Sequence, residues 1–294
     1  MVKFDFDQVF FYNIFSPLRI NINKLRIGEE IIISVIFLSK NKLSRFLLIM
    51  VIVTAILTIF PIPLKNMAVE VVSVISGVRL VPIYAVDTQE KKIALSFDAT
   101  WGNTRTPQIL QILDDHQVKT TFFLTNIWLK QYPELAQEIS ERGHEIGLHT
   151  ANHPKLTDLD EEKIKQELLD NAQMVTEITG QKPILFRPPF GAYNNLVINT
   201  ATDLNLVTIQ WSVDSLDWQN LSADAMYQRI TKRIHPGAIV LFHNDGENTP
   251  EALKRLLVYF KEEGYKVVPI SELIYKDNYY IDNNGFQKKV KEEI

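Results

Sequence analysis

The sequence contains no cysteine among its 294 residues, and neither sign of charge dominates it. The first absence excludes a disulfide framework and a thiolate metal site. The 31 basic and 35 acidic residues leave a net charge of −4. Because no basic stripe is interleaved with aromatic residues, we expect no nucleic-acid partner. With 46% hydrophobic and 22% charged residues, the composition is that of a globular protein with a substantial core.

One long run lacks charge altogether, and it covers the 19 residues Phe46–Leu64. As a helix this run spans roughly 28 Å, close to the hydrocarbon thickness of a bilayer. Lys40, Lys42 and Arg45 precede the run, whereas Lys65 is the only cation shortly after it. The positive-inside rule therefore predicts a single-pass protein of the cell membrane, with a cytoplasmic N-terminus and an extracytoplasmic domain. No small-x-small cleavage site follows, which favours an uncleaved anchor over a cleaved signal peptide.

The remaining chain divides by composition into four further segments. Residues 1–35 lack an organising pattern, and residues 1–45 are predicted to be a partly disordered cytoplasmic segment. Residues 65–90 are predicted to be a spacer, and residues 91–275 a folded domain. Residues 276–294 are polar, contain an Asn-Asn-Gly turn, and are predicted to be a tail.

Within residues 91–275, short apolar runs alternate with helical patterns. We predict seven strands: Ile93–Phe97, Thr120–Leu124, Glu145–Leu148, Ile184–Phe186, Leu206–Ile209, Ala238–Phe242 and Lys266–Val268. We predict six helices between them: Pro107–His116, Pro133–Arg142, Glu161–Thr179, Asn195–Leu204, Ala223–Ile234 and Pro250–Glu263. This alternation predicts an α/β fold with a parallel sheet, either open or closed into a barrel.

Polar side chains that could carry chemistry follow five of these strands. Alone, each has a structural explanation: an acid at a strand end can cap a helix, and a lone histidine can be a satisfied core residue. Together they favour a site, because the carboxyl ends of parallel strands meet at one edge, where α/β barrels place their chemistry. These strand-end residues are Asp98, His149, His153, Arg187, Asp214, Asp217, Trp218 and His243.

These residues occur in segments that resemble the five motifs of the NodB homology domain of polysaccharide deacetylases, carbohydrate esterase family 4. In chain order the segments read SFDAT, HTANHP, RPPFG, DSLDW and LFH. The resemblance implies a distorted (β/α) barrel of the TIM type, with seven or eight strands and one divalent metal. That metal would be zinc, with cobalt or manganese as alternatives. The implied reaction removes N-acetyl groups from GlcNAc or MurNAc in cell-wall glycan such as peptidoglycan. The segment FDATWGN with an N-terminal anchor further resembles the sporulation-associated branch.

The resemblance also assigns roles to individual residues. His149 and His153 would hold the metal through neutral imidazoles. Asp98 would be the general base, and Arg187 beside it would keep the carboxylate ionised and oriented.

On the other side of the reacting amide, His243 would be the general acid that protonates the departing amine. Asp224 would raise the pKa of His243 and fix its tautomer. A backbone N–H near Phe190 would help to stabilise the oxyanion. Leu241 would line the pocket for the acetyl methyl group, and Trp218 would form a wall for a sugar face. The implied substrate-binding residues are Phe190, Asp217, Trp218 and Leu241.

One position departs from the resemblance. The first motif of the family carries two adjacent aspartates, and the second is a metal ligand, but here that position is Ala99. A methyl group cannot coordinate a metal, so binding would be weak or absent unless Asn103, Asp98 itself or an extra water completes the shell. Two hypotheses therefore remain open: a membrane-anchored, metal-dependent deacetylase, or a catalytically impaired glycan-binding or structural protein on the same fold. The retention of Asp98, Arg187 and His243 favours the first. The sequence predicts no oligomeric state.

Overall fold

A computed structural model describes residues 22–27, 31–36 and 79–290. The first of two compact units contains an antiparallel hairpin of strands β1 (Ile22–Ile27) and β2 (Ile31–Ile36). The sequence analysis found no organising pattern in this segment and did not predict the hairpin.

The predicted membrane anchor, residues 46–64, lies outside the described residues and stays a prediction. Among the residues that are described, no helix has both the length and the apolar character needed to cross a bilayer.

The second unit is built on a curled sheet in which every pairing is parallel. Along the path of paired strands the order is β8-β7-β6-β5-β4-β10-β9, and β11 pairs with the first residues of β4. The α/β parallel-sheet prediction is confirmed, and the predicted barrel takes the form of a curled half-barrel. The sheet strands are β4 (Lys92–Ala99), β5 (Thr121–Leu124), β6 (Glu145–Leu148), β7 (Leu185–Phe186), β8 (Val207–Thr208), β9 (Val213–Asp214), β10 (Ile239–His243) and β11 (Lys266–Val267).

Strand β4 occupies the middle of this sheet and is covered on both faces. Ile93, Leu95 and Phe97 belong to the larger core cluster, which includes the buried faces of the helices, whereas Ala94 belongs to a second, smaller cluster. The Phe97 ring stacks on Phe122 of the neighbouring strand, with ring centroids 4.9 Å apart. A strand buried on both faces reads as a continuous apolar run, which explains the sequence pattern before Asp98.

Helices connect the strands, and all six predicted helices are confirmed to within three residues at either end. Glu161–Thr179 begins at the Asp160 side chain, which accepts a hydrogen bond from the Lys163 N–H, and ends at Gly180 in the left-handed conformation. The helices are α1 (Thr106–Asp115), α2 (Asn126–Gln131), α3 (Pro133–Glu141), α4 (Glu161–Thr179), α5 (Asn195–Asp203), α6 (Ala223–Thr231), α7 (Thr249–Glu262) and α8 (Ile270–Leu273).

The C-terminal residues differ from the predicted polar tail. Strands β12 (Tyr279–Ile281) and β13 (Phe286–Lys289) form a hairpin, and β13 pairs in parallel with β3 (Ala85–Val86). The buried Gln287 side chain donates to the Tyr275 carbonyl and accepts from the Tyr275 N–H, both at 2.8 Å. The Asn-Asn-Gly sequence is therefore the turn of a hairpin that belongs to the folded unit.

Candidate active site

The carboxyl ends of the parallel strands surround a pocket of about 640 Å³. Eight of the ten predicted site residues line it; the other two are Arg187, which is fully buried, and Asp224, which lies elsewhere. The lining residues are Asp98, Thr100, Trp101, His149, His153, Phe190, Gly191, Trp211, Asp214, Asp217, Trp218, Asn220, Leu241, His243, Asn244, Asp245 and Gly246.

Asp98, near the end of β4, forms a buried ion pair with Arg187. The guanidinium Nη1 donates to Asp98 Oδ1 at 2.7 Å, and Nη2 donates to the Gln210 carbonyl at 3.1 Å. The guanidinium carbon also lies 4.2 Å from the centroid of the Phe123 ring, which fixes its plane. Burial acts to raise the pKa of Asp98, but the Arg187 charge outweighs it with help from nearby histidines, so the pKa is lowered. The carboxylate therefore stays ionised and can act as a base.

His149 follows β6 and is held in one tautomer by the backbone. Its Nδ1 lies 2.7 Å from the Arg187 carbonyl oxygen, so Nδ1 carries the proton and donates it. Nε2 is then unprotonated and faces Asp98 Oδ2 at 3.6 Å. Burial lowers the pKa of His149 despite the nearby Asp98 charge. A neutral imidazole with a bare Nε2 is the form that binds a metal.

His153 lies beside His149 between two aromatic side chains. The centroid of its ring is 5.0 Å from that of His149, 5.0 Å from that of Trp101 and 4.7 Å from that of Phe190. Burial, followed by the neighbouring His149, lowers the pKa of His153 to about 4. This imidazole is therefore also neutral near pH 7.

The opposite side of the pocket carries His243, which is in register with Asp98 on the adjacent strand. Its Nδ1 donates to Asp217 Oδ1 at 2.7 Å, and its backbone N–H donates to Asp217 Oδ2 at 2.7 Å. Burial acts to lower the pKa of His243, but the hydrogen bond and the charge of Asp217 outweigh it and raise the pKa. His243 thus has the raised pKa and fixed tautomer that a proton donor requires.

The prediction that Asp224 performs this task is wrong. Asp224 is in the first turn of α6, its side chain is 81% exposed, and it pairs with Arg255 at 2.6 Å. The acid that fixes His243 is Asp217, which the sequence analysis assigned to substrate binding. Asp217 is buried and also accepts a hydrogen bond from the Thr249 hydroxyl at 2.8 Å.

The remaining predicted residues do line the pocket. The Phe190 and Trp218 rings are exposed. Leu241 is buried in β10, where it is in register with Asp214 of β9. Phe190 adopts φ of +60°, and His153 adopts φ of +54°. The left-handed conformation costs a non-glycine residue about 1–2 kcal/mol, and such strain clusters at functional sites.

A divalent metal fits this donor set incompletely. Catalytic zinc sites use three protein ligands and an open position, and here His149 and His153 supply two. Ala99 is fully buried and packs in the larger core cluster together with Leu124 and Leu148. Within the ranges 22–27, 31–36 and 79–290, no three His, Cys, Asp or Glu side chains are grouped so as to hold a metal. The site therefore does not fit a three-ligand metal centre.

Sequence reasoning missed several residues that shape this site. Asn171, on α4, accepts from the His149 N–H at 2.9 Å and donates to the Leu124 carbonyl at 3.0 Å. Gln210 donates to the Gly191 carbonyl at 3.1 Å and so holds the loop that carries Phe190. No strand-end signal marks Asn171, because it comes from the middle of a helix.

Comparison with known proteins supports the resemblance. The polysaccharide deacetylase family profile matches residues 85–209. The chain is 35% identical to the peptidoglycan-N-acetylglucosamine deacetylase of Bacillus cereus, over 65% of this chain and 92% of that protein. It is also 35% identical to the peptidoglycan-N-acetylmuramic acid deacetylase PdaA of Bacillus subtilis, over 66% of this chain and 75% of that protein. It matches YlxY of Bacillus subtilis at 35% identity but covers only 60% of that protein.

Among solved structures, the chain is similar to BA3943 of Bacillus anthracis, described as a CE4 family pseudoenzyme. The identity is 39%, the TM-score is 0.64, and the match covers 66% of this chain and 68% of that one. A mutant of that protein, described as having restored enzymatic activity, matches with 40% identity and the same TM-score, over 66% of this chain and 71% of that one. From its 35% identity to a relative that it covers to 92%, and from its curled parallel sheet, this chain belongs to the polysaccharide deacetylase family.

Proposed function

We propose that the pocket binds N-acetylated cell-wall glycan and that the chain is a glycan-binding member of its family with little or no hydrolytic activity. The observation that carries this proposal is the pocket itself. It combines exposed aromatic rings with the pairs Asp98–Arg187 and Asp217–His243. Only two of its histidines, His149 and His153, are placed as metal ligands, whereas a catalytic zinc centre needs three protein ligands.

The substrate class is supported by the relatives. Two of them are named as peptidoglycan deacetylases, one for N-acetylglucosamine and one for N-acetylmuramic acid. Exposed aromatic faces such as Trp218 and Phe190 suit the apolar faces of sugar rings. Impaired hydrolysis is supported by Ala99 and by the similarity to a pseudoenzyme at 39% identity.

A second candidate is slow N-deacetylation. The preserved pairs Asp98–Arg187 and Asp217–His243 favour it, because they would supply a base and an acid. In this reaction Asp98 would take a proton from the attacking water, which adds to the acetyl carbonyl carbon. His243 would then protonate the amide nitrogen as the C–N bond breaks, giving acetate and an amine. Arg187 would keep Asp98 ionised, and Asp217 would hold His243 in the donating tautomer.

The experiment combines two measurements on the purified full-length chain. Binding to N-acetylated peptidoglycan and to the linear tetramer of N-acetylglucosamine is measured by sedimentation and calorimetry. Acetate release from both is measured with and without added zinc or cobalt. We expect binding, with acetate release at or near background.

Two outcomes would contradict the proposal in different ways. Failure to bind either glycan would refute the binding function. Acetate release well above background, abolished by Asp98→Asn, would establish the second candidate instead. His243→Gln is the matched variant, because it removes the group that would protonate the departing amine in the same reaction.

A further inference from the structure

Three exposed aromatic residues converge on the pocket. Phe190 is 68% exposed, Trp101 is 62% exposed and Trp218 is 59% exposed. In the described part of the chain these are the three most exposed large apolar side chains, and all three line the same pocket. Single exposed apolar residues need no explanation, but a cluster around one opening indicates a binding surface.

The three rings are spread along the rim. Trp101 follows β4 and Trp218 follows β9, two strands away, which is roughly 10 Å along the sheet at about 4.8 Å per strand. Phe190 lies on the other side of His153 from Trp101, with the centroids of the two rings 4.7 Å and 5.0 Å from that of His153. A single sugar ring is too small to contact all three, whereas a chain of sugars is long enough.

The turn that carries Trp101 is fixed by hydrogen bonds to the Gly102 carbonyl. The Gly102 carbonyl accepts from Trp128 Nε1 at 2.7 Å and from Asn244 Nδ2 at 2.8 Å. Gly102 has a φ of +68°, and a Cβ there would lie 2.1 Å from Asp245 Oδ2, so only glycine fits. A fixed turn spares a ligand the entropy cost of ordering it, which suits a preformed platform.

We propose that Trp101 is a second sugar-stacking platform, and that the site takes a glycan chain rather than a single sugar. The proposal rests on the glycan-binding function proposed above and names the length of its ligand. Trp101 contacts His153 edge to face, so a sugar stacked on Trp101 lies beside the histidine pair. A neighbouring sugar then reaches toward Trp218, on the side where Asp217 and His243 meet.

The test compares two ligands, N-acetylglucosamine and its linear tetramer, by titration calorimetry on the full-length chain. We expect Trp101→Ala to weaken tetramer binding about two- to tenfold, the range for loss of one aromatic contact, and to leave binding of the single sugar unchanged. Trp101→Phe should retain most of the tetramer affinity. The control is Tyr280→Ala, which removes an exposed ring on β12, away from the pocket lining.

The outcomes separate the two proposals. If the unsubstituted chain binds the tetramer and Trp101→Ala binds it equally well, the platform is refuted and the glycan-binding function stands. If the unsubstituted chain binds neither ligand, the glycan-binding function fails and this inference fails with it. An equal loss of affinity for both ligands in Trp101→Ala, with unchanged thermal unfolding, would also contradict the proposal that Trp101 contacts a second sugar of a chain.

Discussion

At the scale of single residues, the proton on His243 is governed by one carboxylate. Asp217 accepts from both the ring and the backbone of His243, whereas Asp224 pairs with Arg255 at the surface. We expect Asp217→Asn to lower the pKa of His243, because the substitution removes the charge that raises it. The imidazole is then protonated over a narrower pH range. The pKa is measured by NMR titration of the histidine ring.

The matched control for this prediction is Asp224→Asn, which changes the residue that the sequence favoured. It should leave the titration of His243 unchanged. A shift in Asp224→Asn without one in Asp217→Asn would mean that the hydrogen bond at 2.7 Å does not set the proton affinity.

Ala99 is the second position where one side chain decides the chemistry. We expect Ala99→Asp to tighten zinc binding by about tenfold or more, because the new carboxylate would follow Asp98 at the carboxyl end of β4 and would supply a third ligand if it turns from the core toward the two histidines. Zinc affinity is measured by competition calorimetry, and the same substitution combined with His149→Ala should lose the gain. Unchanged affinity together with a lower melting temperature would show that the new carboxylate stays in the core cluster that now holds the methyl group.

The site was predictable from the sequence wherever its residues directly follow a strand. Asp98, His149 and His243 were found in this way, because the carboxyl ends of parallel strands meet at one edge. The Asp217–His243 pair was not, since two acids near in sequence, Asp217 and Asp224, could each have reached His243. Only the positions of the loop and of α6 distinguish them.

At the scale of elements, α4 positions the histidine loop through one buried amide. The Asn171 side chain bonds to the His149 N–H, the Leu124 carbonyl and Asn126 Oδ1 at 2.8–3.0 Å. Asn171→Ala removes three buried hydrogen bonds and leaves the His149 N–H and the Leu124 carbonyl only their mutual bond at 3.3 Å, so we expect a loss of about 1–3 kcal/mol in the free energy of unfolding. Urea denaturation followed by circular dichroism measures it.

Gln173→Ala is the control for this prediction, because Gln173 lies on the same helix with its side chain exposed and paired only with Glu177. It should change the free energy of unfolding by less than about 0.5 kcal/mol. Equal effects from both substitutions would mean that the cost comes from the helix rather than from the amide.

The long elements were predictable, and the short ones were not. Glu161–Thr179 was predicted to the residue because its apolar stripe, N-terminal acids and terminal glycine all agree. Helix α2 has six residues, too few for a periodic pattern, and it begins where the Thr125 hydroxyl accepts from the Trp128 N–H. The C-terminal hairpin looked like a tail because its pairing partner, β3, lies about 200 residues earlier in the chain.

At the scale of the whole molecule, a buried histidine outside the pocket couples stability to pH. His144 Nδ1 accepts from the Thr120 N–H at 3.2 Å, and burial lowers its pKa from 6.5 to about 4. The unfolded chain therefore binds this proton more readily than the folded chain. Stability should fall as the pH drops from about 6.5 toward 4, by about 3 kcal/mol in total.

This dependence is checked by comparing urea midpoints at pH 7 and pH 4.5 for the unsubstituted chain and His144→Gln. Glutamine can accept the same N–H without titrating, so its midpoint should shift less between the two pH values. His116→Gln is the control for the loss of a histidine elsewhere, and its midpoint should shift between the two pH values as that of the unsubstituted chain does. An identical pH dependence in His144→Gln would show that other groups account for the whole effect.

The arrangement of β4 also bears on how the protein is made. Strand β4 is synthesised first among the strands of the curled sheet, yet two of its partners, β10 and β11, follow it by about 140 and 170 residues. The strand before it in the chain, β3, pairs with β13, which follows it by about 200 residues. Contacts so distant in sequence slow folding, because the chain must close long loops before it gains stability. On the ribosome, Asp98 and His243 therefore meet only when nearly the whole domain has emerged.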